Sequence, residues 1–279
     1  MASLLRVLTA AALALPLAAR GQAMEPLWEF GMGATGLSIP DYRGSDESRY
    51  YVLPIPYFVY RGDKLRVDRQ GPRAKVFESP RLELDFSALI TPPVDSAKNR
   101  ARQGMPDLDP TVEIGPQVNF IVARDLQKDW RFDLRLPVRA VVATDIKHSR
   151  GAGYTVFPHA YFSGHPELFG ARWNLGLTAG PLFGSRDYHA YFYSVAPQFA
   201  TPERPAYEAP GGYSGAVASG SLGRRFGKLW AGGFVRYDTL RGAAFETSPL
   251  VRQNYSVVAG VAFAWVFAES AERVAGREF

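Results

Sequence analysis

The 279-residue sequence contains no cysteine, which excludes disulfides and thiolate chemistry. After its N-terminal segment it has no apolar run near 18 residues, the length that a membrane-spanning helix requires. It has only four histidines, His148, His159, His165 and His189, none of them in HExxH spacing, and no GxSxG stretch. We therefore predict no catalytic, cofactor-binding or metal-binding residues. His148 and the adjacent Ser149 are interpreted as polar turn residues.

The charge is mildly basic, with a formal value of +5, but the sequence has no pattern typical of nucleic-acid binding. Many charged residues fall on alternate positions of apolar segments rather than in continuous basic runs. No RNP, helix-turn-helix or zinc-finger pattern occurs. Nucleic acid is therefore not a predicted partner.

The first 23 residues have the composition of a secretory signal peptide. Arg6 precedes an apolar run at 7–19, and Gly21 and Ala23 form a small-x-small end. The run is too short for a membrane anchor and contains a proline. We predict that residues 1–23 are removed by cleavage after Ala23.

Residues 130–141, WRFDLRLPVRAV, show the clearest pattern in the remaining chain. Every second residue is apolar, and the residues between them are charged except for one proline. A period of two predicts an extended strand with two unlike faces. On a helix the arginines would be spread around the cylinder, with no apolar stripe to bury.

Eleven further segments are interpreted as strands with a similar alternation, giving about twelve strands in one domain, residues 24–279. A soluble β-sandwich and a closed outer-membrane barrel both fit this count. Segment length, charges in mid-segment and aromatic residues near segment ends favour an all-β, closed, antiparallel up-and-down transmembrane barrel. The strands are predicted at 27–39, 50–60, 65–77, 81–89, 111–123, 130–141, 153–163, 172–183, 187–195, 213–226, 229–240 and 255–267.

Arginine on the lipid face of such a barrel costs roughly 2–4 kcal/mol near the midplane, so the arginines of 130–141 must point inward. Carboxylates on the matching faces of other strands can pair with them. We predict a narrow lumen crossed by an ion-pair network. Its predicted members are Glu83, Asp85, Glu113, Arg131, Asp133, Arg135, Arg139, Arg236 and Asp238.

Two loops and one histidine are singled out. The motif Asp41-Tyr42-Arg43-Gly44 is interpreted as a structural turn, with Asp41 capping backbone N–H groups and Gly44 at positive φ, or alternatively as a ligand or partner contact. With twelve strands counted as above, parity places the long 91–110 loop on the side of the N-terminus. It is a hypothetical contact for peptidoglycan enzymes, unless a strand has been missed. His189 lies among tyrosines and is interpreted as part of an interfacial aromatic girdle.

Seven stretches carry a recognisable signature: IPDYRGSDE (39–47), PYFVYRGDKLRVDRQG (56–71), RLELDFS (81–87), GMPDLDPTVEIGP (104–116), RPAYEAPGGYSG (204–215), RRFGKLWAGGFVRYDTLRGAAFETSPLV (224–251) and VAFAWVF (261–267). Through them the chain resembles the MipA/OmpV family of outer-membrane proteins. The family usually stops close to its last aromatic residue, whereas this chain continues for a tail at 268–279. The insertion signal is therefore either Phe267, used internally, or the terminal Phe279.

The resemblance implies an outer-membrane barrel and a non-enzymatic scaffold role. The best-known member brings the lytic transglycosylase MltA to a bifunctional penicillin-binding protein, so outer-membrane lipid and two such enzymes are the expected partners. Other members are discussed as adhesins, antibiotic-response proteins or small-solute channels. A small-solute channel is the alternative function, and conductance in a planar bilayer separates it from a scaffold. A lipid-modifying enzyme would require serine and histidine side chains that converge on one site, and the sequence predicts no such arrangement.

Overall fold

The computed structural model describes residues 24–68, 71–125, 127–145 and 147–275. The predicted signal peptide and the terminal Phe279 lie outside the described residues. Within these ranges no helix is long and apolar enough to cross a membrane. The helix α1 (Arg186–Tyr193) and two short 3-10 turns accompany the strands. The strands are β1 (Met24–Pro26), β2 (Trp28–Pro40), β3 (Ser48–Arg61), β4 (Leu65–Asp68), β5 (Gly71–Glu78), β6 (Leu82–Thr91), β7 (Thr111–Asp125), β8 (Trp130–Thr144), β9 (Ser149–Val156), β10 (His159–Gly164), β11 (Glu167–Leu168), β12 (Ala171–Arg172), β13 (Asn174–Gly184), β14 (Gly212–Phe226), β15 (Leu229–Thr239), β16 (Tyr255–Glu269) and β17 (Arg273–Ala275).

One antiparallel sheet runs from β2 through β10, continues through β13, β14, β15 and β16, and returns to β2. The circle closes because β8 pairs with both β9 and β10, and β13 pairs with the same two strands. β9 and β10 are two halves of one barrel strand, interrupted at Phe157 and Pro158. The barrel therefore has twelve strand positions, which confirms the predicted fold class.

The two faces of β8 show which side meets lipid. Leu134 is 51% exposed on the outside, whereas its neighbours Asp133 and Arg135 are 0% and 6% exposed on the inside. The same alternation holds on β6 and β7, where Phe86 and Phe120 face outward. A β-sandwich would bury these apolar side chains in a dry centre. The exposed apolar exterior is instead that of a transmembrane barrel, in which a closed sheet pairs the backbone groups within the protein.

The predicted single strand at 65–77 is wrong. This segment forms two antiparallel strands, β4 and β5, with Leu65 opposite Ala74 and Asp68 opposite Gly71. Pro72 has no N–H to donate to a sheet ladder, and a Gly-Pro pair is a strong turn signal. The sequence pattern was interrupted here, and the interruption was interpreted as a bulge. It is instead a reversal of chain direction.

The predicted strand at 187–195 is also wrong, because the segment contains α1. The Ser185 hydroxyl accepts a hydrogen bond from the Tyr188 N–H and caps the helix, and Asp187 lies in the first turn. Tyr188 and Phe192, four residues apart, share the buried face of the helix. His189 is fully buried inside the loop end of the protein, so its assignment to an interfacial girdle is wrong too.

The three longest connections, 92–110, 185–211 and 240–254, lie at one end of the barrel, which we call the loop end. The shorter connections that follow β2 and β8 lie at the same end. The opposite end, the termini end, carries short turns, the β11–β12 hairpin and the two-stranded sheet of β1 and β17. Because β4 and β5 add one reversal, the 91–110 loop lies at the loop end, opposite to the N-terminus. The parity argument that placed it beside the N-terminus is corrected.

Four of these connections, 41–47, 92–110, 185–211 and 240–254, fold together into what we call the cap. The cap contains most of the dry core of the described residues. Tyr193 and Phe245 stack with ring centroids 3.7 Å apart at its centre. The cap packs against the upper inner wall of the barrel, represented by Val141 and Ala143 on β8. Its buried apolar residues are Tyr42, Val94, Leu108, Tyr188, Phe192, Tyr193, Val195, Ala209, Leu240, Ala243, Phe245 and Leu250.

Candidate functional site

The lumen below the cap holds a cluster of charged side chains centred on β8. Arg131 donates two parallel hydrogen bonds to Glu83, at 2.9 and 2.8 Å, across the intervening strand β7. It also donates to Asp133, which accepts a second bond of 2.9 Å from Arg135. Bidentate arginine–carboxylate pairs are among the strongest polar contacts in proteins. We call this group the β8 cluster.

Three more of the predicted lumen residues hydrogen-bond to uncharged partners. All of them lie on the inner faces of β6, β7 and β8, as the alternation predicts. Their neutral partners extend the polar lining beyond direct ion pairs. The contacts are Asp85 accepting from Asn119 (2.9 Å), Glu113 accepting from Thr155 (2.9 Å) and Arg139 donating to Ser87 (2.9 Å).

A second charged group lies on β15, and the loop motif completes it. Arg236 donates twice to Asp238, at 2.8 Å each, and Arg43 donates a third bond of 2.8 Å to the same carboxylate. Arg43 also donates to the backbone oxygen of Ser214 at 2.8 Å. We call these three charged residues the Asp238 cluster. The sequence placed Arg43 in a loop motif separate from the lumen, whereas the structure brings it into the lumen.

The other residues of the motif hold the cap together. Asp41 accepts side-chain hydrogen bonds from Arg49 and Asn99, both at 2.8 Å, rather than from the backbone N–H groups expected of a capping residue. The Tyr42 hydroxyl donates to the backbone oxygen of Leu250 at 2.9 Å. Each side chain of the motif thus joins the first loop to a different segment of the chain.

Gly44 occupies a position that favours glycine. Its φ is +88°, and its N–H donates to the Ser256 hydroxyl at 2.7 Å. Its oxygen accepts from the backbone of Arg252 and Gln253. A Cβ here would lie 3.0 Å from the side chain of Leu240. Backbone conformation and close packing both select glycine at this residue.

Arg102 is the buried cation of the cap. It donates to the backbone oxygens of Phe192 (3.2 Å) and Pro106 (3.1 Å) and to the Ser96 hydroxyl (3.1 Å). Burial lowers the pKa of Arg102, and burial raises the pKa of the nearby Tyr42 phenol. Arg102 thus ties the 92–110 loop to α1.

His189 and Ser214 form a buried pair that the sequence analysis missed. The Ser214 hydroxyl lies 2.5 Å from His189 Nε2, and Nδ1 lies 2.6 Å from the Pro210 oxygen, which assigns the proton to Nδ1. Burial lowers the pKa of His189. Both residues are fully buried, so this Ser/His pair has no exposed face for a substrate. In this buried setting the pair joins α1 to β14 by a hydrogen bond.

The other three histidines lie apart from one another. His148 is exposed beside Asp145, and His165 pairs with Asp129 at 3.1 Å at the termini end. His159 Nδ1 donates to the backbone oxygen of Phe157 at 2.7 Å. Among the described residues no group of three or more His, Asp or Glu side chains is arranged to hold a metal ion.

A third charged group, at the termini end, was also missed. Glu29 is buried and accepts from Arg61 at 2.8 Å and from Arg225 at 2.5 Å. Arg61 additionally pairs with Glu25 at 2.7 Å. Glu29 alternates with Trp28 and Phe30, and this signal could have placed it on the inner face.

The model of the family described as MltA-interacting protein MipA matches residues 32–267. No curated protein matches the chain. Three similar solved structures are the β-domain of the Bordetella autotransporter BrkA (8% identity, 86% of this chain and 100% of that one, TM-score 0.38), the outer-membrane protease OmpT from Escherichia coli (7%, 89% and 99%, 0.32) and the outer-membrane protein OprG from Pseudomonas aeruginosa (10%, 88% and 97%, 0.22).

Proposed function

The chain belongs to the MltA-interacting protein MipA family, and from this premise we propose that it is a scaffold for peptidoglycan-remodelling enzymes. The closed sheet and the family match together make the chain an outer-membrane β-barrel. The proposed partners are a lytic transglycosylase of the MltA kind and a penicillin-binding protein. The proposed role is non-enzymatic. The signal peptide at residues 1–23 would direct export of the chain and then be cleaved off.

The observation that carries this proposal is the obstructed path through the lumen. The cap occupies the loop end, and the β8 and Asp238 clusters hold charged side chains in bonded pairs across the interior. A solute crossing this barrel would have to break both the packed core and the ion pairs. A barrel closed in this way favours a binding role over a conducting one.

The partner surface is proposed at the termini end. In outer-membrane barrels short turns face the periplasm, where peptidoglycan lies, and long loops face outward. The 91–110 loop lies at the other end and is therefore not the proposed contact. At the termini end Phe169, at the tip of the β11–β12 hairpin, is 94% exposed, and its φ is +54°. An exposed aromatic residue held in a strained conformation is a candidate anchor for a protein partner.

The test is capture of a purified lytic transglycosylase by the detergent-solubilised barrel. Phe169→Ala is expected to weaken capture at least fivefold because the anchor is lost. Arg100→Ala, an exposed change at the loop end, is the matched control and should leave capture unchanged. Loss of capture in the control with full capture in Phe169→Ala would place the contact at the wrong end and refute the proposal.

A small-solute channel is the alternative function. One observation favours it, a cavity in the half of the lumen nearer the termini end. Planar-bilayer recording separates the two functions. The scaffold predicts no steady current steps from the purified protein. Steady picoampere steps that are abolished by denaturing the barrel would support the channel instead.

A further inference from the structure

A cavity of about 530 Å³ lies in the half of the lumen nearer the termini end. It spans the interior from β10 to β3. One wall is apolar, with Ile55 on β3 and Trp230 and Phe234 on β15. The facing wall is polar, with Tyr161 and Ser163 on β10. The volume falls within the range of small-molecule sites in proteins.

The cavity exists because β13 to β16 present small residues inward. On these strands the inner face carries residues such as Gly176, Ser221 and Ala262, where β8 carries arginines. The lumen is thus divided into a half filled by ion pairs and a half left open. A ligand that fills this space would remove its apolar wall from water and, by binding the folded state, would stabilise the barrel.

One polar group in the wall points to a ligand that makes a hydrogen bond. Ser163 is 8% exposed, and its hydroxyl oxygen is buried with no hydrogen-bond partner among the described residues. A buried hydroxyl left unsatisfied is costly, and nearly all such groups in folded proteins find a partner. A ligand carrying a hydrogen-bonding group next to Ser163 would supply that partner.

The charge of the wall selects against an ionised ligand. The arginines that line the cavity, Arg61 and Arg66, belong to β3 and β4, on the side of the barrel opposite Ser163. Arg61 is already paired with Glu25 and Glu29. On the Ser163 side, Arg131 lies opposite Ser163 on β8 and Arg135 lies over the Tyr161 ring. Both are already bonded to carboxylates of the β8 cluster. An ionised group that reached Ser163 would therefore have to displace one of these buried ion pairs, which is unfavourable.

We propose that this cavity binds a small uncharged aromatic molecule with one hydrogen-bonding group. The ring lies against Trp230 and Phe234, where aromatic contacts add to apolar burial, and the polar group bonds to Ser163. The inference goes beyond the scaffold role and does not depend on it. A barrel that binds this ligand without capturing an enzyme would refute the scaffold alone.

Tryptophan fluorescence tests the proposal with 4-bromophenol, because bromine quenches an indole at contact distance. The purified barrel in detergent should show a saturable quenching component that Trp230→Phe removes. Ala262→Phe, which fills the cavity, should weaken binding at least tenfold. Ala259→Phe, on the lipid-facing side of the same strand, is the matched control and should bind as the unchanged protein does.

Two further probes test the chemistry. 4-Bromotoluene lacks the hydrogen-bonding group and should bind at least threefold more weakly, and Ser163→Ala should abolish that difference. 4-Bromobenzoate should bind more weakly than 4-bromophenol. If Ala262→Phe does not fold, the comparison of the two probes in Ser163→Ala still tests the proposal.

Three results would overturn the proposal. Linear quenching that is equal in all variants would mean partition into detergent only. If the unchanged protein binds 4-bromophenol and 4-bromotoluene with equal affinity, Ser163 does not bond to the ligand. Tighter binding of the benzoate would refute an uncharged ligand.

Discussion

At the scale of single residues, the motif 41–44 shows how one short segment acts on distant parts of the chain. Arg43 and Tyr42 bond to residues 195 and 208 positions away. Gly44 lets the backbone turn tightly enough for both contacts to form. The stability of the cap therefore depends on a few individual side chains that can be tested one at a time.

Gly44→Ala is expected to destabilise the protein by about 2 kcal/mol or more. A side chain at positive φ costs roughly 1–2 kcal/mol, and the new Cβ would also meet Leu240 at 3.0 Å. Gly104→Ala is a matched control, because Gly104 has φ +79° but nothing within 4 Å of a new Cβ. Thermal unfolding should show a clearly larger loss for Gly44. Equal losses would mean that packing against Leu240 is unimportant.

Asp238→Asn is expected to cost about 3 kcal/mol, the lower end of the range for a buried ion pair, because two partly buried arginines would lose their shared, buried carboxylate. Combining it with Arg43→Gln should recover part of the loss, since one unpaired charge is then removed. The exposed pair Lys98–Asp95 is the control, and Lys98→Ala should change stability by less than about 1 kcal/mol. A double-mutant cycle of chemical unfolding measures both, and strictly additive effects would contradict the cluster.

At the scale of elements, α1 joins the cap to the barrel through His189. Because burial lowers the pKa of His189, the folded protein holds it neutral where the unfolded chain, with an ordinary pKa of about 6.5, takes up a proton. Its stabilising contribution is thus present above pH 6.5 and is lost as the pH falls below that value.

Limited proteolysis of the 185–211 segment should therefore become faster as the pH drops from 7.5 to 5. The variant His189→Gln keeps a polar side chain that does not titrate, so its cleavage rate should be less dependent on pH. A wild-type rate that stays constant over this range would contradict a neutral buried His189.

The elements also show where alternation along a sequence is informative and where it misleads. On β6, β7 and β8 regular alternation along the sequence is enough to identify the residues that face inward. At 65–77 the pattern breaks at Gly71–Pro72 and then resumes, and the break, interpreted as a bulge, accompanies a reversal of chain direction. At 187–195 aromatic residues suggested a strand, although the Ser185 cap and the four-residue spacing of Tyr188 and Phe192 were signals for a helix.

At the scale of the whole molecule, these two errors cancel in the strand count but not in the topology. One predicted strand became two, and another became a helix, so twelve remained. The extra reversal moved the 91–110 loop to the loop end, where it packs into the cap. The count alone was therefore insufficient to decide which surface faces the periplasm.

Orientation in the membrane can be measured directly because the chain contains no cysteine. Arg100→Cys at the loop end and Phe169→Cys at the termini end give two single labelling sites. A membrane-impermeant maleimide should label the first in intact cells and the second only after the outer membrane is permeabilised. The reverse labelling order would mean that the loop end faces the periplasm. The termini end could then not be the surface that binds periplasmic enzymes.

By itself, the sequence determined which faces of most strands are apolar, and hence that the chain closes into a transmembrane barrel with charges inside. That information is local, because alternate residues of a strand point to opposite sides wherever the strand lies. Only the tertiary structure decided that Arg43 enters the lumen, that four connections, one of them containing α1, close one end, and that a cavity remains at the other. Those features arise from contacts between residues far apart in the chain, which no local pattern specifies.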